Sequence, residues 1–203
     1  MATRTTHLSR SIRVGILVFD DVEELDFVGP WEVFSVANRV RPGSFSARLL
    51  STDPPTIRTR YGMIVSSVGS LYRSPAPDFL VVPGGPGRKR AMKGARLIRY
   101  LQRAHNGGMV LASVCTGSFI LAAAGLLNGK AATTHHNALA ELRAYPEIKV
   151  LRRRFVDEGD VLTAAGISAG IDLALHLVSR FAGGRVATKV AKTMEYTAVR
   201  RPR

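Results

Sequence analysis

Short apolar runs that do not alternate with polar residues recur along this chain, and each is followed by a stretch of helical periodicity. Val14–Phe19 (VGILVF), Asp78–Pro83 (DFLVVP) and Gly108–Val114 (GMVLASV) are the clearest. A strand that reads apolar on both sides is buried on both faces, as in a parallel sheet whose crossover helices cover it above and below. The fold expected is therefore α/β: one doubly wound, mostly parallel sheet with helices on both faces. It should span residues 12–198, with a flexible tail at 1–11 and a basic tail at 199–203.

The punctuation of the chain places the remaining elements. Pro30–Val40 reads as a helix opened by its proline, with Trp31, Val33, Phe34 and Ala37 on the apolar face. Phe45–Ser51 and Ile64–Val68 read as strands. Ala91–His105 is a basic amphipathic helix, and Thr116–Leu127 a small-residue helix ended by Asn128-Gly129. Val150–Phe155 and Asp160–Ala165 suggest a late hairpin turning at 157–160. Ser168–Ala182 is a helix stopped by Gly183-Gly184, and Arg185–Tyr196 is the last.

Composition narrows the function classes. At 203 residues and 46% hydrophobic, the chain can bury one sizeable core. No apolar run approaches the ~18–20 residues of a bilayer span, so no membrane partner is expected. The opening MATRTTHLSRSI lacks the apolar centre of a secretory signal. A single cysteine can form no internal disulfide and no zinc site by itself, which makes a reducing cytoplasm the expected location. The formal charge of +14 raises the question of nucleic acid, but the basic residues are scattered and show no aromatic interleaving or zinc-finger spacing. Weak, salt-sensitive polyanion binding is expected, not specific recognition.

That lone cysteine carries the chemistry. A strand ending at Val114 and a helix starting at Thr116 put Cys115 on a sharp strand-to-helix turn, above the carboxyl edge of the sheet. A free cysteine is often a small buried hydrophobe. Here the helix N-terminus is expected to lower the thiol pKa, and the small neighbours leave room for a ligand. Two other strand ends should meet it. Pro83-Gly84-Gly85-Pro86-Gly87 follows DFLVVP, and a Gly85 N–H paired with that of Thr116 would make an oxyanion hole. After the first strand come Asp20, Asp21, Glu23, Glu24 and Asp26. The first four fit solvated loop or cap positions. Asp26, between Leu25 and Phe27, is the expected inward-facing acid with a raised pKa.

DFVGPWEVF, VVPGGPG, SVCTGS, AAGLLNGKAATTHH and LTAAGISAGIDLALHLV, in that order, resemble the ThiJ/PfpI superfamily over about residues 12–197. The resemblance implies a flavodoxin-like fold related to class I glutamine amidotransferases and the Parkinsonism-associated protein. LD-x-x-GP, VCTGS and ATTH resemble the isonitrile hydratase subgroup and the sensor domains of AraC-type regulators. It implies Cys115 as nucleophile, Asp26 as the acid bonded to its sulfur, Thr116 as the threonine following the nucleophile, Gly84 and Gly85 as oxyanion or substrate contacts, and His135 beside the pocket.

The position after the cysteine, where PfpI-type proteases carry histidine, is Thr116, so a peptidase is disfavoured. The activity expected is hydration of a small isonitrile to an N-substituted formamide through a thioimidate, with no metal and no organic cofactor, and with Leu25, Phe27 and Val28 suiting a hydrophobic substituent. The alternatives are a ligand- or redox-sensing domain and another small-molecule cysteine hydrolase. AraC-type regulators append about 100 residues for DNA binding, whereas this chain ends at RRPR, so a stand-alone protein is expected. Homodimerisation is implied by the resemblance.

Overall fold

The computed structural model describes residues 10–52 and 54–197, so the expected tails lie outside the described residues apart from Arg10 and Ser11. The chain opens with β1 (Ile12–Val18), α1 (Glu24–Val40), β2 (Phe45–Ser51), β3 (Thr56–Arg58), β4 (Ile64–Ser66) and β5 (Gly69–Ser70). It continues with β6 (Phe79–Val82), α2 (Arg88–Ala91), α3 (Ala95–Asn106), β7 (Val110–Val114) and α4 (Ser118–Ala123). The last part holds β8 (Ala131–Ala132), α5 (Leu139–Leu142), β9 (Lys149–Val150), β10 (Phe155–Asp157), β11 (Val161–Ala164), α6 (Ala169–Ala182) and α7 (Gly184–Thr193).

Seven strands form the central sheet in the order β10-β11-β7-β6-β1-β2-β5, parallel except for β10 at the edge. Taken in chain order, β2, β1, β6, β7 and β11 follow the 2-1-3-4-5 pattern of the flavodoxin-like fold. The strand order therefore reverses between β1 and β6, and ligands of such sheets bind at the carboxyl edge beside that reversal. The apolar runs are buried as their composition requires: Ile16, Leu17, Leu80, Val82, Leu111 and Val114 are inaccessible. Phe34 of α1 meets Phe79 of β6 tilted at 5.2 Å between ring centroids, and Phe79 stacks on Phe181 of α6 at 5.6 Å, tying two helices to the sheet. Each fully buried ring contributes about 1.5–3 kcal/mol.

Several boundaries differ from those expected. Helix α1 starts at Glu24, six residues before Pro30, which lies inside it. The proline removes one helical hydrogen bond, the one to the Asp26 carbonyl. Its buried ring lies against Gly170 of α6, where an added Cβ would sit 3.3 Å from Pro30 Cγ. Tertiary packing holds the helix through the break. Trp31, expected in the core, is 40% exposed, while Val33, Phe34 and Ala37 are buried as expected.

Residues 64–68 do not join the main sheet. Ile64–Ser66 pairs antiparallel with Thr56–Arg58 in a separate hairpin, and Gly69–Ser70 pairs with β2 instead. The basic helix is interrupted at Gly94, giving α2 and α3. The small-residue helix is shorter, a 3₁₀ turn Cys115–Gly117 followed by α4. The late hairpin is formed by Phe155–Asp157 against Val161–Ala164, and Lys149–Val150 pairs with Ala131–Ala132. The final helix ends at Thr193.

Candidate active site

Cys115 sits where the sheet stops. Its N–H still follows the ladder, donating to Ala165 O at 3.0 Å, but its φ is +55°, the left-handed region. Its carbonyl accepts from Thr134 Oγ1 at 2.9 Å and Ser118 Oγ at 3.3 Å. A cysteine in this conformation costs on the order of 1–3 kcal/mol, and these bonds over-determine it. The turn also requires close backbone approach: an added Cβ at Gly117 would lie 2.1 Å from Val82 O, and one at Gly84 would lie 2.5 Å from Thr116 N.

Asp26 is on the first turn of α1 and fully buried. Its Oδ2 accepts from Gly84 N at 2.9 Å, and Oδ1 is buried with no partner of hydrogen-bond geometry. The Cys115 thiol lies against the carboxyl and favours its charged form, but burial, reinforced by the nearby Glu23 charge, outweighs this and lifts the Asp26 pKa to about 7. The acid is therefore the one expected, for a different reason. Its sequence neighbours differ in burial: Leu25 is 37% exposed, Val28 is partly buried, and Phe27 packs into the core, out of reach of a substrate.

The thiol does not behave as expected. Burial, together with the Asp26 carboxylate, pushes Cys115 up to about 12, although the amides of Thr116 and Ile167 favour the thiolate. The helix that follows is too short, and the sulfur too dry, for the helix terminus to win. The carboxyl therefore gives up its proton before the thiol does.

The expected oxyanion hole is also altered. Gly85 N–H is engaged by Thr116 Oγ1 at 3.1 Å, and Gly84 N–H by Asp26. Gly85, at φ +112°, packs against Asp21 O and Glu23 N, so these glycines serve backbone packing as much as donation. His135 lies at the rim. Its ring fills the space over Gly166, beside Ile167, its Nδ1 accepts from Asn137 N at 3.3 Å, and burial next to His136 lowers its pKa. Ile167, at φ +47°, is a second strained residue facing the sulfur.

Two residues do more than the loop or cap positions expected of them. Glu23 is 5% exposed and pairs with Arg60 Nη1 at 2.6 Å, and its N–H donates to Gly84 O at 3.1 Å. Glu24 accepts from Thr59 Oγ1 and from Tyr61 N at 2.7 Å; burial opposes its ionisation, but these bonds prevail and hold it below the usual carboxylate range. Asp20 and Asp21 are partnered too, by Arg58 N and Arg90. The acidic run thus fastens the β3–β4 hairpin and α2 to the sheet edge; Asp20 and Asp21 stay solvated and Glu23 holds the N-cap position of α1, as expected, but Glu23 itself is buried. A helix started at Glu24 would have placed Glu23 and Asp26 one turn apart on a shared face. Among the described residues, no three His, Cys, Asp or Glu side chains converge as metal ligands would.

The profile of the DJ-1/PfpI family matches residues 12–180. Isonitrile hydratase of Pseudomonas putida is 33% identical over 189 residues, 92% of this chain and 79% of that protein. The HTH-type transcriptional regulator CdhR of Pseudomonas aeruginosa is 35% identical over 83% of this chain, which spans only half of the regulator. Among solved structures, Drosophila melanogaster DJ-1beta superposes with a TM-score of 0.82 at 22% identity, covering 93% of this chain and all of that one.

Proposed function

The chain belongs to the DJ-1/PfpI family, and from that premise we propose that it is an isonitrile hydratase-like enzyme with Cys115 as nucleophile and Asp26 as acid. The observation that carries this reading is the buried Asp26 carboxyl, titrating near 7 against the Cys115 thiol at the carboxyl edge of the sheet. A carboxyl that keeps its proton near neutral pH can protonate the terminal carbon of R–N≡C. As it does so, the thiol proton moves to the vacated carboxylate and sulfur adds to the carbon, giving the thioimidate R–N=CH–S–Cys115. The carboxyl is restored in the same step, so the high thiol pKa is no obstacle: no standing thiolate is needed.

Water then adds across C=N, hydrogen to nitrogen and hydroxyl to carbon. Thr116 Oγ1 accepts from Gly85 N–H and keeps its own hydrogen for that water. Cleavage of C–S returns the hydroxyl proton to sulfur and releases R–NH–CHO. Atoms balance with no redox partner. The test is turnover of an alkyl isonitrile by the purified protein, followed as formamide by NMR, with Cys115→Ala as the blank. No formamide above the blank overturns the reading.

A second reading is a ligand-sensing domain without turnover. It is favoured by the neutral thiol of Cys115, a residue only 6% exposed, and by the likeness to regulators such as CdhR. Saturable binding of an isonitrile without formamide would establish it. A homodimer is proposed for either reading. Tyr61, Met63, Ile64 and Val68 on and beside the β3–β4 hairpin expose apolar surface that a second copy would cover. Sedimentation velocity at micromolar concentration checks this, and a monomer contradicts it.

A further inference from the structure

Arg60 stands at the tip of the β3–β4 hairpin, 55 residues before the nucleophile, yet short hydrogen bonds link it to the elbow. Its Nη1 meets Glu23 Oε2 at 2.6 Å, Glu23 N–H meets Gly84 O at 3.1 Å, Gly84 N–H meets Asp26 at 2.9 Å, and Gly85 N–H meets Thr116 at 3.1 Å. Its own N–H is held by Val22 O at 3.0 Å, in the segment that packs on Gly85. The two partners of the ion pair differ in exposure: the Glu23 side chain is 7% exposed and that of Arg60 is 45%. The carboxylate is buried and holds one end of the guanidinium, which lies 5.1 Å over the Tyr61 ring and stays partly exposed.

We propose that Arg60 is a specificity residue that binds a carboxylate carried by the substrate, so that the molecules brought to Cys115 are small organic anions. This rests on the proposed nucleophilic role of Cys115 but not on isonitrile turnover. A guanidinium held at one nitrogen still offers a planar fork to a carboxylate. Its charge is felt at Asp26, Cys115 and His135, and it is the cation common to all three among the described residues. Asp26 largely retains its proton below pH 7 and the thiol is neutral, so the standing negative charges nearest Arg60 are Glu23, which pairs with it, and Glu24, which is held by Thr59 Oγ1 and Tyr61 N–H. Both carboxylates are already bonded to groups of the protein, which lowers the repulsion an incoming carboxylate meets at Arg60. The overall charge of +14 adds long-range attraction for anions.

Alkylation of Cys115 tests this without turnover. Sulfur displaces iodide from either iodoacetate or iodoacetamide, the thiol proton leaves to solvent, and the two reagents differ only in the carboxylate. Arg60→Gln is expected to lower the iodoacetate-to-iodoacetamide rate ratio at least tenfold. Arg99→Gln, an exposed position on α3 that removes the same charge, should leave the ratio within twofold. Equal ratios in the two variants overturn the proposal. If Arg60→Gln does not fold, the wild-type protein decides: acetate should protect Cys115 from iodoacetamide saturably while acetamide does not, and no protection by acetate is the contrary result. In the turnover arm, Arg60→Gln should raise KM for isocyanoacetate more than tenfold and change kcat less. A protein that fails to turn over isonitriles but passes the alkylation test retires the hydratase reading and keeps the anion site.

Discussion

Gly84 N–H donates to Asp26 Oδ2 at 2.9 Å, so the acid on the first turn of α1 is held by the end of β6, 58 residues further along the chain. The bond joins the segments that follow β1 and β6, the two strands between which the sheet order reverses, and it leaves the buried second oxygen without a partner of hydrogen-bond geometry beside Cys115. The energetics of the site follow from that placement.

Asp26→Asn keeps the shape and the Gly84 contact but removes the transferable proton. Turnover is expected to fall by at least ~100-fold, within the usual worth of a general acid. In the wild type the rate should decline as pH rises through about 7, where the acid ionises. The stability sign is opposite to that of a paired carboxylate. The folded state keeps this proton up to about pH 7 and the unfolded chain only to about 3.8, so wild-type stability falls between those values. The Asn variant lacks that slope and should melt higher than wild type at pH 8, relative to pH 5, by calorimetry.

Cys115→Ala should abolish turnover and leave circular dichroism unchanged. Because φ is +55° at this position, Cys115→Gly is expected to be more stable than Cys115→Ala by roughly 1 kcal/mol. A Gly variant that melts below the Ala variant would contradict the strained elbow.

Gly84→Ala tests the close approach of β6 to the elbow. Its Cβ would lie 2.5 Å from both Thr116 N and Thr116 Oγ1, backbone and side chain that cannot swing away. A cost of about 1–3 kcal/mol is expected from such overpacking. That is a loss of roughly 2–12 °C in Tm for a chain of this length, accompanied by loss of turnover.

Duplex DNA binding should be weak, indifferent to sequence and gone by about 200 mM salt. Many arginines are already partnered: Arg60 with Glu23, Arg88 with Glu141, Arg90 with Asp21, and Arg154 with Asp172. Sequence-selective retention in a mobility-shift assay at that salt would favour a regulatory role over catalysis.

The parallel sheet was legible because strands such as VGILVF and FLVV are apolar on every residue, and only burial on both faces accounts for that. The elbow was legible because a lone cysteine stands where such a run stops. What Pro30 does was not, since a proline reads locally as a helix start and only the ring of Pro30 against Gly170 shows why α1 runs through it. Likewise the β3–β4 hairpin carries too little periodicity to distinguish it from an edge strand of the main sheet.

By itself, then, the sequence determined the doubly wound architecture, the position of Cys115 and the candidacy of Asp26, all of which depend on local pattern and on which residue types occur. The protonation of the site was decided only by the tertiary structure. The thiol pushed up to about 12, the acid near 7, the engaged amides of Gly84 and Gly85, and the burial of Glu23 beneath Arg60 all arise from segments tens of residues apart. A pKa is set by how much water and charge surround a group, and that is fixed by what packs against it in space, not by its neighbours along the chain.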